Sequence, residues 1–174
     1  MDKFTRFELA ILPHLDAAYN LARWLLRNDD DAAAAVQDAY LRALRSIGGF
    51  RGDDGRSWLL AIVRNTCYTR LKRGAARAND SEFDDEIHSP HLETANPETL
   101  LERSQDGEAL RGALEDLPEE LREVMVMREL DGMAYKEIAQ VAAIPLGTVM
   151  SRLARARKRL QHLLSTYPGS ERLK

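Results

Sequence analysis

Apolar residues recur at three- and four-residue intervals along most of this chain, and no run alternates apolar with polar over the length of a strand, so the sequence predicts an all-α fold. The clearest stripe lies near the C-terminus. Val149, Leu153, Ala156, Leu160 and Leu163 fall on one helical face, with Ser151, Arg152, Arg155, Lys158 and Arg159 outside it. A shorter periodic run begins at Tyr135, Lys136, Glu137, Ile138 and Ala139, and Ile144-Pro145 separates the two. The pattern predicts a helix-turn-helix, whose second helix is shaped to enter a DNA major groove. Ala134 stands where an N-capping Ser or Thr belongs, which should weaken that helix start by about 1 kcal/mol.

The N-terminal half shows the same period. Phe4 to Arg27 predicts a helix interrupted near Pro13, with Leu15, Ala18, Tyr19, Ala22, Leu25 and Leu26 on its apolar side. Asp29, Asp30 and Asp31 suit the cap and positive end of the next helix, which Gly48-Gly49 should end. Its expected core face is Val36, Tyr40, Leu44 and Ile47, leaving Gln37, Asp38, Leu41, Arg42 and Arg45 on other faces. A third helical run starts at Trp58, Leu59, Ile62 and Val63 and leads, with an expected break around Asn65-Thr66, to Tyr68, Leu71 and a basic tail. In the C-terminal half, Pro97 precedes a helix to about Asp116. Pro118 then opens another, carrying Leu121, Val124, Met125 and Met127, that ends near Gly132.

Charge changes the picture. The 174-residue chain carries a net charge of −3, which taken whole argues against a nucleic-acid partner. The charges are segregated, however: residues 1–79 sum to +4, residues 80–116 to −10 and residues 117–174 to +3. Between Ile138 and Gly169 there are five Lys or Arg and no carboxylate, so one helix face offers uncompensated positive charge. Asn79 to Glu102 contains eight carboxylates, no Lys or Arg, and few large apolar residues, the composition of a flexible linker. The chain therefore divides into residues 1–78, a linker at 79–102, and residues 103–174. The expectation is of two electropositive helical domains, their arginines facing outward, separated by an anionic tether.

Candidate chemistry adds little. The single cysteine, Cys67, excludes an internal disulfide and suits a reducing cytoplasm; it reads as a small buried apolar residue rather than a nucleophile. The N-terminus has the pattern of neither a signal peptide nor a membrane span. His88 and His91, with Asp84 and Glu86, lack a fixed metal-binding geometry. No catalytic constellation is present in the sequence and no cofactor motif, so the chain is read as a non-enzyme.

Three blocks together resemble the extracytoplasmic-function group of bacterial RNA polymerase sigma factors. They are Ala35-Val36-Gln37-Asp38-Ala39-Tyr40-Leu41-Arg42-Ala43; Phe50-Arg51-Gly52 with Trp58-Leu59 and Arg64-Asn65; and Leu117-Pro118-Glu119 through Leu160. The resemblance implies that the first domain binds core polymerase at the β′ clamp helices through Gln37, Asp38, Leu41 and Arg42. Ala33, Ala34 and Ala35 depart from the acidic residues common there. It implies that Arg64, Asn65, Thr66, Tyr68, Arg70, Lys72 and Arg73 meet the melted minus-ten element. A cationic track suits a single strand's backbone, and Asn65 can read a base edge, unless it is simply a helix cap. In the second domain, which would also touch the β flap, Thr148, Ser151, Arg152, Arg155, Lys158 and Arg159 would meet the minus-thirty-five duplex. Met150 stands where relatives often carry a basic residue. Promoter DNA and an anti-sigma factor are the further partners implied, with no membrane insertion of this chain. The rival reading is a self-sufficient helix-turn-helix regulator with an N-terminal sensing or dimerisation domain.

Overall fold

A computed structural model describes residues 2–80 and 105–166, which form helices joined by short turns, with no strand among the described residues. Helix α1 spans Lys3–Ala10, and a 3-10 turn at Leu12–His14 carries Pro13 where a missing N–H is tolerated. Helix α2 (Leu15–Leu26) ends on Arg27, whose φ of 60° is left-handed. Helix α3 (Asp29–Ser46) is capped by Asn28, whose side chain accepts from the Asp31 N–H, while the three aspartates occupy its first turn against the positive end of the dipole. A 3-10 turn at Ile47–Gly49 and a short loop lead into α4 (Gly55–Asp80). A side chain at position 55 would place its Cβ 2.1 Å from the Ala10 carbonyl oxygen, so only glycine lets α4 start this close to α1.

The structure corrects two sequence expectations here. The fully buried stripe of α3 is Ala32, Ala35, Ala39 and Ala43, while Val36, Tyr40 and Leu44 are half-buried beside it. Small side chains allow α2 and α4 to approach the α3 backbone from two sides, so the larger residues are pushed to the margins. Helix α4 also runs unbroken through Asn65 and Thr66. The Thr66 and Thr69 hydroxyls donate to the carbonyls of Ile62 and Asn65 four residues earlier, so they turn back on their own helix instead of interrupting it.

In the second half, α5 spans Gln105–Glu115 and α6 spans Glu119–Met125, continuing as a π-helical turn at Val126–Leu130. Helices α7 (Tyr135–Ala142) and α8 (Leu146–Thr166) make the helix-turn-helix, joined through Ala143 at a left-handed φ of 54°. Val149, Leu153 and Ala156 are buried as their spacing predicts, and Leu160 and Leu163 pack at the edge of the core. Ala134 offers no capping side chain, yet the start of α7 is not bare: Glu137 Oε1 accepts from the Ala134 N–H at 3.2 Å, one half of a capping box.

The two halves do not stand apart. Helices α2 and α4 pack against α6 and α7, and the buried apolar residues of both halves form one continuous cluster. Arg122, 1% exposed, donates to the carbonyls of Leu114, Leu117 and Glu115 and, across the seam, to that of Trp24 at 2.9 Å. Arg27 reaches the Glu115 carbonyl from the other side. Most of the segment read as a linker, with His88, His91, Asp84 and Glu86, lies outside the described residues; its first two positions, Asn79 and Asp80, are the end of α4.

Candidate nucleic-acid and polymerase interface

Period and capping decide which side chains α3 presents. With its alanine stripe turned to the core, Gln37, Leu41 and Arg42 are exposed and Asp38 half-exposed on the opposite side; Arg42 sits 3.9 Å from Asp38 one turn away. Leu41 is 44% exposed, a large apolar group in a polar setting, as protein interfaces commonly contain. Asp38 and Arg42 also share a cleft of about 660 Å³ with Arg70, Arg73 and Arg77 of α4. Thr66 also lines it, so five of the residues assigned from sequence to two different partners, polymerase and the minus-ten strand, meet in one place.

Along α4 the assigned minus-ten residues separate. Asn65, Lys72 and Arg73 are exposed and Arg70 is half-buried. Asn65 lies in mid-helix, so the capping role considered for it is removed. Thr66 is 1% exposed and its hydroxyl is used within the helix, so it reads no base in this arrangement. Cys67 is buried beside it, and burial pushes its thiol up to about 12. Tyr68 is half-buried with the Arg64 guanidinium 4.4 Å from its ring centre, and burial pushes its hydroxyl above the usual range. Trp58 packs against Phe50 at 5.0 Å as part of the core margin, not as a free stacking platform.

Arg64 turns toward the second half. Its Nε donates to Glu123 Oε2 at 2.7 Å and a terminal nitrogen donates to Oε1 at 3.1 Å, a bidentate pair across the seam. Glu123 is fully buried, and desolvation raises its carboxyl pKa despite the opposing pull of Arg64. On α8, Arg152 points to the same place, 3.8 Å from Glu120 and 4.0 Å from Glu123, leaving its side chain 16% exposed. Ser151, Arg155, Lys158 and Arg159 remain exposed and Thr148 half-exposed. Arg157, which the sequence reading passed over, pairs with Glu129 at 3.2 Å.

A second polar contact closes the seam further along. Arg56 donates to Glu137 at 2.8 Å and to the Asp131 carbonyl at 3.3 Å, and Asn20 donates to Asp131 Oδ1 at 3.2 Å. Arg56, Arg64, Arg122 and Arg152 thus face inward, the opposite of what two independent, outward-facing modules would show. Sequence periodicity placed these residues on helices but carried no signal for a contact between residues 59 apart. Arg122 and Glu123 were missed entirely; a charged pair flanked by Leu121 and Val124-Met125-Val126-Met127 was the available clue. Among the described residues no group of three or more His, Cys, Asp or Glu is arranged to hold a metal ion, and no helix is long and apolar enough to cross a membrane.

The comparisons with known proteins cover both halves. The family model described as Sigma-70 region 2 matches residues 10–77, and that described as Sigma-70, region 4 matches residues 107–160. The RNA polymerase sigma-H factor of Pseudomonas aeruginosa is 31% identical over 91% of this chain and 86% of its own length. The ECF RNA polymerase sigma-E factor of Escherichia coli is 35% identical over 76% of this chain and 73% of its own length. Among solved structures, the sigma factor RpoE of Bartonella quintana, in complex with the anti-sigma factor NepR, superposes with a TM-score of 0.75 at 28% identity, covering 93% of this chain and 98% of that one. CnrH, in complex with the cytosolic domain of CnrY, superposes with a TM-score of 0.66 at 25% identity over 93% and 89%.

Proposed function

The chain belongs to the extracytoplasmic-function group of the sigma-70 family, the alternative sigma factors that direct RNA polymerase to specific promoters, and from that premise we propose how its residues divide the work. Residues 1–78 form the domain that binds core polymerase and the minus-ten element, and residues 103–174 the domain that binds the minus-thirty-five element. Gln37, Asp38, Leu41 and Arg42 contact the β′ clamp helices, a role supported by their shared solvent-facing side of α3. Asn65, Arg70, Lys72 and Arg73 hold the melted minus-ten strand. Arg64, Thr66 and Tyr68 join them only if α4 rearranges or parts from the second half. Ser151, Arg155, Lys158 and Arg159, with Thr148, meet the upstream duplex; Arg152 can join once freed from Glu120 and Glu123.

The observation that carries this reading is α8. It buries Val149, Leu153 and Ala156 and presents Ser151, Arg155, Lys158 and Arg159 outward, giving a cationic face with no carboxylate on its own helix. The chain acts in the cytoplasm, without a catalytic site of its own, because the chemistry of RNA synthesis belongs to the polymerase. A separate anti-sigma protein controls it, a proposal supported by the similar sigma factor RpoE of Bartonella quintana, solved in complex with the anti-sigma factor NepR.

Run-off transcription with purified core polymerase over a set of genomic promoters tests the reading. The expected result is promoter-specific transcript only when this chain is added. A footprint on a palindromic operator without polymerase, and no transcript with it, would favour a self-sufficient regulator instead.

A further inference from the structure

We propose that Glu123 is an internal competitor for promoter DNA, engaging one arginine from each DNA-facing half and so holding the free chain closed. The inference rests on the assignment of Arg64 and Arg152 to DNA made above. Glu123 is a carboxylate in an unfavourable place. Glu123 lies in α6 immediately before Val124, Met125, Val126 and Met127, all buried, and it is itself 0% exposed. Removing a carboxylate from water costs several kcal/mol, and replacing a buried ion pair by apolar side chains is often neutral or stabilising. Core packing alone therefore gives no reason for a glutamate here.

The geometry supplies one. Arg64 grips both carboxylate oxygens, at 2.7 and 3.1 Å, in the forked arrangement that a guanidinium also makes with phosphate. Arg152, on the helix that would enter the major groove, approaches Oε1 at 4.0 Å. Glu123 thus takes up the Arg64 donors that a DNA backbone would take, and its charge lies within ion-pair range of Arg152 on the recognition helix. Helix α4 cannot lie on one promoter element while α8 lies on another as long as Arg64 is held at this carboxylate of the second half. Two other polar contacts of the seam, less buried than Arg122, are suited to release. Asn20 with Asp131 and Arg56 with Glu137 are hydrogen-bonded pairs in which water or phosphate can take the place of either partner.

The test compares wild type with Glu123→Gln, which keeps the side-chain volume and removes the charge. Each is titrated, without polymerase, into a labelled duplex carrying the upstream element of a promoter that wild type transcribes with core enzyme. The variant is expected to bind at least tenfold more tightly and to show a larger radius of gyration by solution scattering; equal affinity and equal size overturn the proposal. Should Glu123→Gln fail to fold, Asn20→Cys with Asp131→Cys decides, since these side chains meet across the same seam. The buried Cys67 thiol, pushed up to about 12, stays out of the exchange. The oxidised pair is expected to bind the duplex at least tenfold more weakly than the reduced pair, and identical affinities overturn the closure. A wild-type chain that yields no promoter-specific transcript with core polymerase overturns the sigma-factor assignment of Arg64 and Arg152, and this inference with it. A transcript accompanied by unchanged affinities overturns the Glu123 role alone.

Discussion

Arg122 shows how much one side chain can hold. Its guanidinium serves four carbonyls from the end of α5, the following turn and α2, groups that helix termini leave without intrahelical partners. Arg122→Ala strands those buried acceptors and should cost about 3 kcal/mol or more of stability, read from urea unfolding monitored by circular dichroism. Cys67 gives a prediction with a definite sign. Its ordinary pKa of 9.0 rises to about 12 on burial, so the folded chain holds the thiol proton more tightly than the unfolded one. The associated stability is complete below pH 9 and is lost as pH climbs toward 12. Comparing wild type with Cys67→Ala by urea unfolding at pH 8 and pH 10.5, wild type should lose roughly 1 to 2 kcal/mol relative to the variant, at 1.36 kcal/mol per pH unit. A constant difference would show that the thiol is already accessible.

At the scale of elements, α8 and α3 were legible to different degrees. The stripe of α8 could be read because Val149 and Leu153 are large, so periodicity and burial coincide. In α3 the buried positions are alanines, which carry little hydrophobic signal, and the larger Val36, Tyr40 and Leu44 drew the reading one position aside. The expected interruption of α4 failed for a related reason: Asn65 and Thr66 favour caps in isolation, but packing on α2 and α3 overrides that preference. Two substitutions check these accounts. Gly55→Ala drives a methyl group into the Ala10 carbonyl and should destabilise by roughly 1–3 kcal/mol, seen as a lower urea midpoint. Arg155→Ala should weaken upstream duplex binding by roughly 1–3 kcal/mol with the loss concentrated at one base pair, measured over single-base variants of the site. A loss spread evenly over all sequences would make Arg155 a phosphate contact.

For the whole molecule, the sequence disclosed two cationic ends and an acidic middle, and the ends are matched by the two sigma-70 regions. It did not disclose that the ends dock, because charge sums and helical periods describe each segment against solvent. Docking depends on pairs such as Arg64 with Glu123, distant in sequence and each unremarkable alone. A shared core across the seam predicts one cooperative unfolding transition for the chain, with tryptophan fluorescence, which reports only Trp24 and Trp58 of the first half, coinciding with circular dichroism. Two resolved transitions would mean that each half melts by itself.

Because the Arg64 and Glu123 partners belong to one polypeptide, their encounter is unimolecular, and dilution does not weaken it. A cell holding only a few copies would therefore restrain each of them as firmly as a cell holding thousands, whereas restraint by a separate protein fades once that protein is outnumbered.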